Sequence, residues 1–265
     1  MTEAEILNLC DLNLAEATRE MARWHPASEL METGGVLVAA GPDAFPVGFG
    51  NAALRLDSCR AAVGVIDIAG EFFSARKRGY TLLTGDHADR DLQQAAAAAG
   101  LQRLSESPGM VLDAPHPTAP DPPGATLRWV DDEKSARDFA TVSARAYATL
   151  GLPEGVCAHL FEHAARIVAP HVISVVASVE GEARAAAMAI LSHGIAGIYW
   201  VGTLESARGR GLGEACTRAV GNAAFEHGAR LLVLQASAQG EPIYRRMGYR
   251  EVTRYVWYTS FGSEA

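Results

Sequence analysis

Apolar and polar residues recur with two different periods along the second half of the chain, which predicts an alternation of strands and helices. Strands are predicted where apolar residues alternate or run together, at residues 125–130, three segments within 171–203, 230–237 and 249–261. Helices are predicted where apolar residues recur every three to four positions, at residues 132–151, 153–169, 212–227 and 240–248. Gly228 and Gly248 mark the ends of the last two helices, as glycine often does.

The end of the first half has the same order of elements. A helix, a strand, a second helix and a second strand are predicted at residues 69–79, 80–85, 88–100 and 101–112. Gly79 and Gly100 end the two helices, and their spacing nearly equals that of Gly228 and Gly248. This spacing predicts two copies of one unit. The alternative is that helix–strand–helix segments are common and that any two of them look alike.

A proline-rich segment at residues 113–124 separates the two halves. Proline removes a backbone donor and fixes φ, so neither a helix nor a strand is expected to continue through it. We therefore predict a first lobe over residues 1–112 without a cofactor motif, a linker over 113–124, and a functional domain over 125–265.

Composition narrows the classes of function. The chain has 265 residues, 49% of them apolar, and a formal net charge of −8. The acidic balance argues against a dedicated nucleic-acid-binding protein, which needs a basic surface. No apolar run reaches the ~20 residues of a membrane span, so no membrane partner is expected, and the N-terminus does not resemble a signal peptide. The four cysteines form no C-x-x-C pair, which favours a cytoplasmic protein over a disulfide scaffold or a zinc ribbon.

The segment "ARGRGLGEA" at residues 207–215 places Gly209, Gly211 and Gly213 where the helix 212–227 is predicted to begin. Glycine leaves N–H groups accessible at the positive end of the helix dipole, where a phosphate can bind. The loop lacks the Lys-Ser or Lys-Thr of a P-loop, and its last glycine stands one residue too early for a dinucleotide fingerprint. The sequence therefore predicts a phosphate or pyrophosphate ligand of another class.

Two motifs narrow that class. Arg208, Gly211 and Gly213 fit the pattern R-x-x-G-x-G, and Tyr244 stands four residues before the pair Gly248–Tyr249 in "EPIYRRMGYREV". With a predicted strand between them, these motifs resemble the pyrophosphate loop and the closing segment of the GNAT superfamily of N-acetyltransferases. The resemblance covers residues 125–261 and implies an α/β (α+β) fold, with a mixed, mostly antiparallel sheet flanked by helices. Together with the repeat, it predicts two GNAT-like domains in tandem, the first of them degenerate.

The resemblance also implies acetyl-CoA as cosubstrate and no metal. The pyrophosphate would bind the glycine loop, and the pantetheine arm would lie along the strand that ends before it. The cofactor-binding residues implied in this way are Val201, Gly202, Thr203, Arg208, Gly209, Arg210, Gly211, Leu212 and Gly213. Many family members have an asparagine after the strand that here reads "LLVLQAS", and Ser237 and Gln239 are its polar substitutes in this chain.

The predicted function is transfer of the acetyl group to a primary amine by direct attack in a ternary complex. Tyr244 is the candidate general acid, because tyrosine is protonated at neutral pH and the leaving thiolate needs a proton; its alternative role is packing. The general base stays open among Tyr199, His193, Glu205 and a chain of waters, and the acceptor amine is unidentified. The alternative function is a non-catalytic acyl-CoA-binding sensor.

Other signals compete with this interpretation. Residues 159–163 read "HLFEH", an inverted zinc-peptidase motif in which His159 and His163 would lie one helical turn apart with Glu162 as base. No third ligand is marked downstream, so we expect surface or pocket-lining histidines. Cys216 is expected to pack in the core. The first lobe has no R-x-x-G-x-G pattern, and Ala96 stands in the place of Tyr244, so we expect a structural lobe that helps to form the acceptor pocket.

Overall fold

The computed structural model describes residues 1–46 and 48–261. The strands are β1 (Glu29–Thr33), β2 (Val36–Ala40), β3 (Asn51–Arg55), β4 (Tyr80–Gly85), β5 (Gln102–Leu112), β6 (Ala125–Trp129), β7 (Val172–Val179), β8 (Glu182–Ser192), β9 (Ile195–Thr203), β10 (Leu232–Gln235) and β11 (Arg250–Ser260). The α-helices are α1 (Glu3–Arg23), α2 (Ala62–Ser74), α3 (Arg90–Ala98), α4 (Glu133–Ala148), α5 (Glu154–Leu160), α6 (Leu212–Glu226) and α7 (Glu241–Arg246). None of these helices is both long enough and apolar enough to cross a membrane.

The strands form one mixed, mostly antiparallel sheet with the order β1-β2-β3-β4-β11-β5-β10-β9-β8-β7-β6. Only the neighbours β3–β4 and β9–β10 run parallel. Each parallel pair belongs to one half of the chain and is connected through a helix, α2 in the first half and α6 in the second. The predicted fold class, a mixed sheet flanked by helices, is therefore confirmed.

The last strand of each half crosses into the sheet of the other half. β11 lies between β4 and β5, and β5 lies between β11 and β10. β11 pairs with β4 at Tyr258↔Leu82, for example, and β5 pairs with β10 at Met110↔Leu234. We call this arrangement the strand exchange. Because of it, hydrogen-bonded pairing runs without interruption from one half to the other.

Helix α1 of the first half also packs against strands of the second half. The Asn13 amide group donates to the Ile190 carbonyl at 3.0 Å and to the Ser192 hydroxyl at 2.8 Å, and its oxygen accepts from the Tyr199 hydroxyl at 2.9 Å. Asn13 is fully buried. Buried polar groups are costly unless paired, so this network fixes α1 across β8 and β9.

Two predicted helices have different bounds in the structure. The helix predicted over 153–169 ends at Leu160 and is followed by a 3-10 turn at Ala164–Ile167. It stops because Phe161 turns into the core, where it stacks on Trp24 with ring centroids 5.4 Å apart. The helix predicted over 69–79 is α2, which begins earlier because its buried stripe starts at Val65. The first 68 residues, for which no elements were predicted, form α1, β1 to β3 and the start of α2.

The segment 113–124 has neither helix nor strand, as its prolines predicted, yet it is not a free tether. The His116 N–H donates to the Asn222 side-chain oxygen at 2.8 Å, and the Asn222 amide donates back to the His116 carbonyl at 3.2 Å. Pro122 lies 3.9 Å from the position that a Cβ on Gly211 would take. We call this segment the proline strap, because it is held along α6 and reaches the glycine loop.

Candidate active site

A cleft opens in the sheet where β9 and β10 part. The two strands pair only at Leu232↔Ala196 and Val233↔Gly197. Beyond these pairs, Trp200 has a left-handed backbone with φ of 51°, and the register between β8 and β9 shifts at this place. A positive φ is rare for a bulky residue and marks a strained bulge. The bulge turns the end of β9 away from β10, so residues 201–203 have no strand on their β10 side.

The glycine loop lies at the mouth of this cleft and begins α6. Gly209 and Gly211 both have φ of 76°, a conformation that favours glycine. Gly211 is the N-cap residue of α6 and offers no side-chain cap. No backbone carbonyl of the described residues accepts from the N–H groups of residues 209–214. These groups sit at the positive end of a 15-residue helix, which is the arrangement that binds phosphate oxygens.

Open space lies beside the loop for such a ligand. A Cβ built on Gly209 would meet no atom within 4 Å, and one on Gly211 would meet only Pro122 at 3.9 Å. Gly213 is tighter, because a Cβ there would approach the Thr203 hydroxyl to 3.0 Å. The first two glycines therefore leave their N–H groups uncovered, and the third allows α6 to pack against the end of β9.

The loop and the cleft enclose a cavity of about 370 Å³, which we call the loop cavity. Every cofactor-binding residue implied by the resemblance lines it except Arg210, and Tyr244 lines it as well. The Arg210 guanidinium is turned away and donates to the Pro123 carbonyl of the proline strap at 3.4 Å. The Arg208 guanidinium donates to the Thr149 hydroxyl at the end of α4. Arg208 and Arg246 are the cations at the wall of the cavity.

Tyr244 closes the inner end of the loop cavity. Its side chain is buried, and its ring stands edge-on to Tyr249 with centroids 5.6 Å apart. Burial raises the pKa of Tyr244, and a hydrogen bond with the Thr217 hydroxyl offsets part of that increase. The phenol is therefore protonated at neutral pH, so it can donate a hydrogen bond or a proton to a bound group and does not act as a phenolate base.

Sequence reasoning missed several residues of the loop cavity. Thr217 follows Gly213 by one helical turn, so it lies on the same face of α6, and this spacing is the signal that was available. Ser237 and Gln239, named only as substitutes for a missing asparagine, both line the cavity. Arg246 lines it from α7, two residues after Tyr244.

A second cavity of about 390 Å³ begins where the loop cavity ends, and we call it the central cavity. Leu150, Val201, Ser237 and Tyr244 line both cavities. The remaining wall comes from both halves of the chain. The first half contributes Phe45, Pro46, Gly48, Phe49, Gly50, Leu104, Ser105 and Ser107, and the second contributes residues of β9, β10 and β11, Phe261, and the end of α4 with the turn after it. The two cavities are thus adjacent, and Tyr244 belongs to the wall of both.

The three residues among which the general base was left open do not gather at this junction. The Tyr199 ring lines the central cavity, but its hydroxyl donates to Asn13, and burial raises its pKa. His193 is exposed in the turn between β8 and β9, at the opposite end of β9 from the bulge. Glu205 is exposed in the 3-10 turn after β9 and lines neither cavity.

The zinc-peptidase pattern in "HLFEH" is not formed in the structure. Because α5 ends at Leu160, His159 and His163 do not face one another across a helical turn. The His159 Nδ1 lies 3.0 Å from an Asp43 carboxylate oxygen. Glu162 and His163 instead lie beside His25 of the first half, with 3.1 Å between the His25 Nε2 and the Glu162 Oε2. The histidines of the motif therefore lie in two separate places, His159 beside Asp43 and His163 beside His25.

Cys216 packs in the core, as its position on α6 suggested. Its side chain is fully buried, and burial raises the pKa of its thiol to about 12. A thiol with such a pKa is not ionised at neutral pH, so it does not serve as a nucleophile.

In the first half, the place that corresponds to the cleft is a cavity of about 590 Å³ at the ends of β3 and β4, and it has no glycine loop. β3 and β4 are its parallel pair, and the Arg55 side chain at the end of β3 is 2% exposed. The Arg55 guanidinium donates to Asp89 and to both carboxylate oxygens of Asp91. Helix α2 has Ala61 as its N-cap and no glycine loop before it. An arginine paired with two aspartates therefore stands at this cavity, where the second half has free N–H groups.

Comparisons with known proteins agree with this geometry. Residues 175–258, which begin within β7, end within β11 and include the glycine loop and Tyr244, match the family described as FR47-like protein. A search of the curated proteins finds no match. The chain is similar in structure to a GCN5-related N-acetyltransferase from Kribbella flavida, with a TM-score of 0.71, 20% identity and 96% of each chain covered.

Two further structures are similar over almost the whole chain. One is a GCN5-related N-acetyltransferase from Sphaerobacter thermophilus, with a TM-score of 0.62, 15% identity, and 100% of this chain and 95% of that chain covered. The other is a tandem GNAT protein from the clavulanic acid biosynthesis pathway, with a TM-score of 0.60, 16% identity and 96% of each chain covered. At these identities the similarity concerns the fold. The similarity in fold extends over both halves, and the match to the FR47-like family lies in the second, so the chain has the fold of the GCN5-related N-acetyltransferases.

Proposed function

We propose that this chain is an acetyl-CoA-dependent N-acetyltransferase that transfers the acetyl group to a primary amine by direct attack in a ternary complex. The observation that carries the proposal is that the two cavities are adjacent and share Tyr244 in their walls. The loop cavity has the free N–H groups that suit a pyrophosphate, and the central cavity offers space for an acceptor on the other side of the same tyrosine.

Residues of the chain would hold the cosubstrate through three kinds of contact. The N–H groups of residues 209–214 would bind the pyrophosphate oxygens, with Arg208 and Arg246 as nearby cations. The β10 side of residues 201–203 would hydrogen-bond the pantetheine arm in place of the missing strand. When bound, acetyl-CoA supplies an activated thioester.

The acceptor amine would attack the thioester carbonyl carbon, a C–N bond would form, and the C–S bond would break with its electrons remaining on sulfur. An N–H group at the bulged end of β9 would stabilise the charge on the carbonyl oxygen. The nitrogen would lose one proton to water, the Tyr244 hydroxyl would donate its proton to the sulfur, and water would then reprotonate Tyr244. For ordinary pKa values of ~10 and ~8.5 the transfer from Tyr244 to the sulfur is uphill by about 2 kcal/mol, and the burial of Tyr244 adds to that. Because the transfer is uphill, the phenol would first donate a hydrogen bond to the sulfur and would give up its proton only as the C–S bond breaks.

Titration calorimetry with acetyl-CoA, followed by thiol release in the presence of a panel of primary amines, tests this proposal. We expect one acetyl-CoA bound per chain and thiol release that depends on an amine. Tight binding of acetyl-CoA without transfer to any amine in a broad panel would favour the alternative of a non-catalytic acyl-CoA-binding sensor. Absence of acetyl-CoA binding would contradict both functions.

A further inference from the structure

The wall of the central cavity is aromatic and uncharged. Its aromatic members, besides Tyr244, are Phe45, Phe49, Tyr147, Tyr199, Trp200, Trp257 and Phe261. The polar residues of the wall carry neutral hydroxyl or amide groups, as in Ser105, Ser107 and Gln235. Among the described residues that line it there is no Asp, Glu, Lys, Arg or His. A ligand in this cavity meets apolar surface and no counter-ion.

The aromatic side chains are held in place by one another. Phe49 stands edge-on to Tyr199 and to Trp257, with ring centroids 5.6 Å and 5.5 Å apart. Tyr147 packs on Trp200 at 4.7 Å, and the Tyr199 hydroxyl is fixed by Asn13. Trp257 lies so close to Gly48 that a Cβ there would come within 2.8 Å of its ring. The cavity is therefore a preformed apolar pocket, the kind that binds a rigid or aliphatic apolar group.

We propose that the acceptor is a primary amine attached to an uncharged aromatic or aliphatic body, which fills the central cavity while its amino group points to Tyr244. The inference rests on the proposed function, because it treats the central cavity as the acceptor site. An acceptor with a second positive charge would leave that charge desolvated and unpaired in the cavity, which is costly. Although the chain has an acidic net charge, the described residues of the cavity wall include no acidic side chain that would bind a cationic group.

An apolar group in the cavity has a second source, namely a longer acyl chain on the coenzyme A thioester. The apolar body of an acceptor and a longer acyl chain would each bury an apolar group beside Tyr244. We assign the cavity to the acceptor because residues of the first half, such as Phe49 and Ser107, line the central cavity and do not line the loop cavity.

Matched amines of equal length test the inference directly. Wild-type protein is assayed for kcat/KM with n-alkylamines from propylamine to hexylamine and with the diamine that corresponds to each. We expect kcat/KM to rise about three- to fourfold with each added methylene group in the monoamines. Hexylamine should exceed 1,6-diaminohexane by at least about tenfold. Equal or greater activity with the diamines would overturn the inference while leaving the acetyltransferase function intact.

Two further measurements are needed. The first tells an apolar acceptor from a longer acyl chain, and the second tests the inference separately from the proposed function. With propylamine as acceptor, a comparison of acetyl-CoA and hexanoyl-CoA should favour acetyl-CoA, and a strong preference for hexanoyl-CoA would assign the cavity to the acyl chain instead. Calorimetry of the uncharged product N-hexylacetamide with the CoA-bound protein needs no turnover. Saturable binding is expected, and absence of binding would overturn the inference even if the proposed function stands. If no amine is acetylated, the proposed function fails and this binding still decides what the cavity accepts.

A substitution of Ser107 on β5 tests whether the acceptor occupies the central cavity, because Ser107 lines that cavity. Ser107→Asp introduces a carboxylate into the wall, and Ser107→Asn has nearly the same shape without the charge. We expect Ser107→Asp to raise the ratio of 1,6-diaminohexane to hexylamine activity by about tenfold over Ser107→Asn. An equal ratio in the two variants would show that the acceptor does not occupy this cavity.

Discussion

The Tyr244 side chain lines both cavities, and the contribution of its hydroxyl can be separated from that of its ring. Tyr244→Phe removes the proton donor and almost no volume. We expect kcat to fall by ~10²–10⁴-fold, the usual range for a general acid, while the Kd for acetyl-CoA changes little. The measurement is kcat under conditions in which acetyl transfer is rate-limiting, together with the Kd.

The neighbouring Tyr249 provides the control for this substitution. Its hydroxyl is buried without a hydrogen-bond partner among the described residues, and it lines neither cavity. Tyr249→Phe should keep wild-type kcat and should not lower stability, because an unsatisfied buried hydroxyl is removed. A kcat of Tyr244→Phe within about twofold of wild type would return Tyr244 to a packing role.

Gly211 allows a similar test of the phosphate site. Gly211→Val places a side chain over N–H groups that are now free, and the residue must keep a φ of 76°. We expect a clear loss of CoA affinity, measured by calorimetry on folded protein. Gly228→Val is the matched control, because Gly228 follows the other end of α6, has φ of 90° and also faces open space.

Both substitutions carry a similar backbone strain of about 1–2 kcal/mol. Only Gly211→Val should therefore affect the ligand. If the two variants bind CoA equally well, the glycine loop is not the phosphate site.

At the scale of elements, the proline strap and α6 form one unit through His116. The His116 ring is buried, and its Nε2 has no partner among the described residues. Burial lowers the pKa of His116, and the charge of Arg218 lowers it further. As the pH falls through the ordinary value of about 6.5, the unfolded chain takes up a proton before the folded one does. The contribution of His116 to stability is present above that pH and is lost below it.

We therefore expect His116→Phe to weaken the decrease in unfolding free energy between pH 7.5 and pH 5.5. Urea unfolding of the variant and of wild type at both pH values checks this. The pKa of His87 is shifted upward: burial lowers it, but the hydrogen bond and charge of Asp11 outweigh that effect. His87 is present in both proteins and cancels from the difference. An identical pH dependence in the two proteins would contradict the neutral, buried state of His116.

The sequence predicted those elements whose signal is local. β4 has the predicted bounds, and the turns of the meander have left-handed residues, as at Gly181 and Gly194. The bulge at Trp200 could not be predicted, because a tryptophan with positive φ has no local signature. The end of α5 was missed because it depends on the contact of Phe161 with Trp24, far away in the sequence.

The candidate site also has a part with a local sequence signal and a part without one. The glycine loop is contiguous, so its spacing alone predicted a phosphate site, which remains to be tested. Arg208 and Arg210 look equivalent in the sequence, but only Arg208 lines the loop cavity. The central cavity was beyond sequence reasoning, since its walls come from segments that are joined only by the order of strands in the sheet.

At the scale of the whole molecule, the strand exchange predicts that the two halves unfold together. β5 and β11 pair with each other and with strands of the opposite half, so neither sheet can open alone. We expect one transition in calorimetry, with a van't Hoff enthalpy equal to the calorimetric enthalpy. Two resolved transitions, or different midpoints by tryptophan fluorescence and far-ultraviolet circular dichroism, would show that the halves are independent domains. We therefore propose that residues 113–124 separate two units of the sequence, and we do not expect these units to unfold independently.

The same exchange sets an order in time when the chain is made. β5 ends at Leu112, but β11, which must lie between β4 and β5, begins at Arg250. At ~5–20 residues per second, β4 and β5 wait on the order of ten seconds on the ribosome with open edges. Open edges invite pairing with other chains. We therefore expect a nascent chain of this protein to be prone to association with other chains until its last strand has been synthesised.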